Sequence, residues 1–115
     1  MTTIYKVCGA AEWADAETSG EYRGSADDAR DGYIHFSTAA QLPGTLAKHF
    51  SARDDLLLIA IDADALGAAL KWEPSRGGDL FPHLYGTLAT SAELWVKPLP
   101  RDSGGQHILP PEVRR

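Results

Sequence analysis

The sequence predicts an α+β domain: a mixed, split β-sheet of about five to seven short strands with three short flanking helices. Three observations carry this. The 115 residues suffice for one domain with one core. Short extended patterns outnumber helical stripes. The helices fall early and the strands late, unlike the regular alternation of a doubly wound sheet.

The first strand is expected over residues 4–8, with Ile4, Lys6 and Cys8 on one face and Tyr5 and Val7 on the other. The segment AAEWADAET follows as a helix with Ala10, Trp13 and Ala14 as its apolar stripe, closed by Gly20. Ser25 opens SADDARDG, a one- or two-turn helix with acids first and Arg30 last, a polarity that suits the helix dipole. Residues 33–37 read as the second strand. Thr38-x-x-Gln41 is a capping-box pattern opening a third helix. Leu42, Leu46 and Phe50 give that helix a buried stripe, and Pro43 falls in its first turn, where a missing N–H is tolerated. Arg53-Asp54-Asp55 is a charged turn.

The run LLLIAID is the strongest strand signal, continuous enough for a central strand covered on both faces. Asp62 and Asp64 can cap the short ADALGAAL helix. Lys71-Trp72-Glu73 is a short strand, PSRGGD a flexible loop, and FPHLYG a further extended segment in which Pro82 disfavours a fully paired central strand. Residues 93–99 form the last strand, an edge because of Pro98. Residues 1–99 are thus read as the folded domain. Residues 100–115, with three prolines and two glycines, read as an irregular tail clamped by Ile108 and Leu109.

Composition narrows the function. A single cysteine, Cys8, excludes an internal disulfide framework and a Cys-rich zinc site. On an apolar strand that cysteine behaves as a small hydrophobe. No apolar run approaches the roughly 18 residues of a membrane span, and the N-terminal residues lack a signal-peptide pattern, so the cytoplasm is the expected compartment. Eleven basic against 16 acidic residues leave a net charge of −5, which argues against polynucleotide partners but not against a small basic pocket.

Candidate site residues cluster in two strands and a loop. In IHFS, His35 and Ser37 share a strand face, and Ile34 and Phe36 take the core side. In FPHLYG, His83 and Tyr85 share a face beside Phe81, pairing an imidazole with a flat phenol. In KWEPSRGGD, Arg76 beside two glycines can meet a phosphate, and Glu73 can meet a ribose hydroxyl. Each has a plainer structural reading: half-buried histidines with satisfied ring nitrogens, a polar network on a strand, a solvated loop. His49 can simply complement the carbonyl end of its helix, and His107 lies solvated in the tail. No histidine pair has metal-site spacing, so no metal is expected. No acid follows His35 at a spacing that would orient it as in a hydrolase triad. Trp72 and Trp95 on edge segments allow a weak dimer as well as a monomer.

The succession IYKVCGAAEWADA, GEYRGSADDARDGYIHFSTAAQL, DLLLIAID and KWEPSRGGDLFPHLYG resembles the family called domain of unknown function 952, over residues 4–99. The resemblance implies an ADP-ribosyltransferase-like fold and a cleft lined by Lys6, His35, Ser37, Glu73, His83 and Tyr85. It implies a small nucleotide-type ligand, with NAD as substrate or ligand and no required cofactor. ADP-ribosyl transfer or NAD-glycohydrolase chemistry would follow, with Glu73 and His35 as the catalytic pair. Lys6, Ser37, Arg76, His83 and Tyr85 would then bind the ligand. Two departures favour an alternative, a non-catalytic ligand-sensing or protein-interaction module: Lys6 stands where relatives commonly carry histidine, and no glutamate of the final strands matches the transferases' acid. A distant relative of that fold moves phosphate from RNA onto NAD; the net charge argues against that role here.

Overall fold

The computed structural model describes residues 2–113. Its strands are β1 (Thr3–Gly9), β2 (Glu21–Tyr22), β3 (Ile34–His35), β4 (Leu56–Asp62), β5 (Leu70–Pro74), β6 (Leu80–Leu84), β7 (Leu88–Ala89) and β8 (Glu93–Pro98). Its α-helices are α1 (Ala10–Ser19), α2 (Ala26–Asp31) and α3 (Leu42–His49). The α+β class and the three helices agree with expectation. The strands are eight among the described residues, more than expected, and they form three small sheets ordered β1-β4-β8, β2-β7 and β3-β6-β5. Every ladder between these strands is antiparallel, so the sheets are split as expected but not mixed in direction.

The central strand β4 explains the continuous apolar run. Antiparallel strands usually alternate apolar and polar because one face is wet. Here both faces are covered. Ile59 and Ile61 face Ile4, Cys8, Trp13 and Tyr22 on one side. Leu56, Leu58 and Ala60 face Tyr5, Val7, Leu42 and Leu46 on the other. Burying one such leucine or isoleucine is worth roughly 1.5–3 kcal/mol. Among the described residues, strand β8 pairs with β4 alone and is the expected edge.

The helix stripes hold with one change. Leu42 and Leu46 are buried and Phe50 packs beside them, as the spacing predicts. On α1 the buried residues are Trp13 and Ala16, while Ala14 is exposed. The i, i+3 pair sits under Tyr22, whose ring lies 5.7 Å from Trp13. Ala63–Ala69 is a 3-10 segment kinked at Gly67, with Asp62 accepting the Asp64 N–H at 3.0 Å.

Pro82 lies in β6, the middle strand of its sheet, contrary to the expectation for proline. The Phe36 N–H donates to the Pro82 carbonyl at 3.0 Å. The reciprocal bond is the one proline forgoes, so the sheet loses one donor and keeps its register. The segment after Leu99 is anchored by side chains. Arg101 grips Asp54 through two bonds of 2.8 and 2.9 Å, and the His107 Nε2–H donates to the Arg53 carbonyl at 2.8 Å. Leu109 and Val113 pack on the second core cluster, whereas the Ile108 side chain is exposed and its backbone N–H donates to the Pro100 carbonyl at 2.7 Å.

Candidate functional site

The site is built outward from Asp28. Ser25 caps α2: its hydroxyl accepts the Asp28 N–H at 3.2 Å, and its own N–H donates to Asp28 Oδ2 at 2.8 Å. This capping box turns the Asp28 carboxylate back into the protein, where it is 2% exposed. Gly24, at φ +104°, leaves it room; a Cβ there would lie 2.7 Å from the Asp28 Cβ. Lys6 Nζ donates to Oδ2 at 2.8 Å. The His35 backbone N–H and its ring Nδ1 donate to Oδ1 at 3.1 and 2.6 Å. Burial pushes the carboxyl pKa up, but the bonds from His35, Lys6 and Ser25 and the Lys6 charge outweigh it. They hold Asp28 well below the usual carboxylate range.

Lys6 is therefore engaged. Its ammonium is buried, donates also to the His35 carbonyl at 3.1 Å, and lies 5.8 Å from the Tyr22 ring centre. The expected phosphate contact from Lys6 finds instead an ammonium spent inside the fold. His35 is held at both nitrogens, since Nε2 lies 2.9 Å from Asp31 Oδ2. Both acids precede His35 rather than follow it.

Tyr33 organises the aromatic floor. Its ring stacks on His83 at 4.1 Å and 27°, with His35 at 4.7 Å and Tyr85 at 5.2 Å. His35 and His83 are register partners between β3 and β6. His83 is buried, and its Nδ1–H donates to Glu73 Oε1 at 2.8 Å. The Tyr85 hydroxyl donates to the same oxygen at 2.8 Å. These bonds from His83 and Tyr85 hold the Glu73 pKa low. Here Lys6, His35, Ser37, Arg76 and His83 share a cleft of about 270 Å³; Glu73 and Tyr85 are outside its lining, Glu73 joined to it through His83 and Tyr85 through Tyr33.

The cleft has two walls of opposite charge. Asp27, Asp28 and Asp31 of α2 form the acidic one. Thr45, Lys48 and His49 of α3 face them, with Arg76 from the β5–β6 turn. The Arg76 guanidinium lies 4.8 Å over the Phe81 ring and donates to Thr45 Oγ1 at 3.4 Å. Thr45 in turn shares a 2.8 Å bond with the Ser37 hydroxyl. Burial lowers the His49 pKa, and the charges of Arg76 and Lys48 lower it further. Cys8 lies outside; burial pushes its thiol up to about 12, as suits a small hydrophobe. Among the described residues no cluster of three His, Cys, Asp or Glu could hold a metal, and no helix is long and apolar enough to cross a membrane.

Sequence reasoning missed Asp28, Asp31, Tyr33, Thr45, Lys48 and His49 as cleft residues. Two signals were present. Asp28 is the fourth residue of an S-x-x-D capping box. Thr45, Lys48 and His49 recur at i, i+3 and i+4, and so share a helix face.

Residues 7–96 match the family model described as protein of unknown function (DUF952). The chain belongs to this family. Solved structures of a relative agree. The X-ray structure of protein CC0527 from Caulobacter crescentus is 44% identical, with a TM-score of 0.90 over 93% of this chain and 94% of that one. The solution NMR structure of CC0527 is 45% identical, with a TM-score of 0.83 over 92% and 91%. No curated protein matches.

Proposed function

We propose that the cleft binds a small phosphorylated ligand of the nucleotide type, NAD or a chemical relative. The observation that carries this is that half-buried Arg76 and the half-buried Tyr33 ring line one cleft. A guanidinium suits a phosphate, and a phenol ring backed by the buried His83 suits a heteroaromatic ring. His35 and Ser37 line the same cleft and would meet a ribose or carboxamide. At about 270 Å³ the cleft falls near the lower end of ligand pockets, roughly 300–1,000 Å³. It fits one half of a dinucleotide, with the other half outside. The reading takes the fold to be ADP-ribosyltransferase-like. Two three-stranded sheets, bridged among the described residues only at Tyr5 and Ser37 beside the cleft, support that.

Within this reading binding is favoured over turnover. Cleaving a nicotinamide–ribose bond needs a carboxylate beside the developing oxocarbenium ion. The Glu73 carboxylate is held by His83 and Tyr85 outside the cleft lining, and the cleft aspartates are each paired, Asp28 with Lys6 and His35, Asp27 and Asp31 with Arg30. Both His35 nitrogens face carboxylates, which leaves neither free to take a proton from a ligand. These two observations support the ligand-sensing reading.

The test is a backbone NMR titration with NAD, ADP-ribose and nicotinamide to millimolar concentration. Saturable shifts at Tyr33, His35 and Ser37 are expected. Their absence with all three ligands would sink the nucleotide reading. Nicotinamide release from NAD at high protein concentration would restore the catalytic reading over the sensor.

A further inference from the structure

The cations of the cleft divide into two kinds. Lys6 and Arg30 are paired with carboxylates, Asp28 for the first and Asp27 and Asp31 for the second. Arg76 and Lys48 make no ion pair among the described residues, and nor does His49. They converge on one wall, from two different elements. The carbonyl end of α3 accounts for Lys48 and His49, since positive groups suit a helix C-terminus. It does not account for Arg76, which comes from the β5–β6 turn.

Gly44 shows how Arg76 is admitted. It lies inside α3, where glycine is a poor helix former. A Cβ at that position would lie 3.1 Å from the Arg76 terminal nitrogen. The bare Cα thus gives the guanidinium its place beside Thr45. The Thr45 hydroxyl links onward to Ser37, so two hydroxyls stand with two cations and a titratable imidazole.

We propose that Arg76, Lys48 and His49, with the hydroxyls of Thr45 and Ser37, form an oxyanion subsite for a phosphate group. It rests on the nucleotide-type reading and assigns the phosphate end of that ligand. It also replaces Lys6, whose charge is spent on Asp28, with Lys48 and His49. A guanidinium fork, an ammonium and hydroxyl donors match the non-bridging oxygens of a phosphate. Four groups act electrostatically on His49. Arg76, Lys48 and His35 disfavour its charge, and Asp27 favours it. An anion bound among the cations reverses that balance and favours imidazolium.

The test follows the His49 ring resonances of the whole chain during titration with inorganic phosphate and, separately, sulfate. Saturable shifts and a rise of the His49 pKa are expected with both anions. Arg76→Gln is expected to weaken phosphate at least tenfold, which a merely structural arginine would not do, and also to raise the His49 pKa in the free protein. Lys48→Gln serves as a second variant with the same two expectations. No anion-dependent change at His49, or unchanged affinity in both variants, would overturn the subsite. The two readings fail separately. Phosphate at His49 without any effect of NAD on Tyr33 and His35 keeps the subsite and removes the nucleotide. NAD at Tyr33 and His35 without phosphate at His49 removes the subsite alone.

Discussion

Asp28 neutralises Lys6 inside the protein, and each depends on the other. The pair is nearly fully buried, at 2.8 Å. Asp28→Asn keeps the shape but strands the Lys6 ammonium without its counter-charge. Breaking a buried pair from one side costs roughly 3–5 kcal/mol. That loss is expected in urea unfolding at neutral pH. The pH dependence has a defined sign. The Asp28 pKa is lowered by folding from an unfolded value of about 3.9, so the unfolded chain takes up the proton first as pH falls. The stabilisation is complete above that value and is lost as pH falls through it toward the folded pKa. The Asp28→Asn variant is expected to lack this part of the acid limb in a stability-against-pH series. At this scale the sequence showed which face a residue takes but not its partner. Period two placed His35 and Ser37 together. Nothing local joins Lys6 to Asp28, which lie 22 residues apart.

A helix of six residues such as α2 is too short to persist alone in water. It depends on its cap and on Asp28, and the two are one device. Ser25→Ala removes the acceptor of the Asp28 N–H. A loss of about 1 kcal/mol is expected, the usual worth of a Ser cap. Because the same box aims Asp28, the His35 ring resonances should shift in this variant, whereas loss of a remote cap would leave them in place. Gly24→Ala should disturb the same point more severely. It imposes a positive φ on alanine and drives a Cβ into the Asp28 Cβ. Such overpacking costs about 1–3 kcal/mol, readable as a lower melting temperature.

Elements of this kind were legible because their signals are local. The start of α2 at Ser25, the Gly20 cap and the Leu42–Leu46 stripe read directly, whereas the Ser25 box and the Gly32 cap were local signals left unread. The Thr38–Gln41 box was legible but displaced. Its reciprocal bonds of 2.9 and 3.3 Å form on a turn, and α3 begins only at Leu42. Pro43 has no N–H to extend the ladder back to Ala39. Strand partners were not legible. Pro82 occupies a middle strand because its missing N–H falls where β3 ends, which only the assembled sheet reveals.

Over the whole molecule the charge is −5, yet the cleft presents on one wall Arg76, Lys48 and the titratable His49, none in an ion pair among the described residues. Net charge repels an approaching anion at long range; the wall attracts it at short range. Salt and pH separate these effects. Exposed charges interact over roughly 30 Å at 0.01 M ionic strength and about 8 Å at 0.15 M. The exposed Lys48 and His49 are thus screened by salt, so sulfate should bind several-fold more weakly at the higher value. Nicotinamide, which is uncharged in solution, should bind equally at both. Sulfate stays dianionic near neutrality, so any pH dependence there belongs to the protein. The His49 pKa lies below its ordinary 6.5 in the free protein, and a bound anion raises it. Binding then takes up a proton, and by linkage sulfate affinity must rise as pH falls from about 7.5 to about 5.5. The Arg30 hydrogen bond holds the Asp31 pKa low, so Asp31 stays ionised over that range and opposes the anion equally throughout. His49→Gln is expected to flatten the profile while retaining the binding due to Arg76 and Lys48. Calorimetric titration of both proteins across that window measures it, and a slope that survives the substitution would assign the proton to another group.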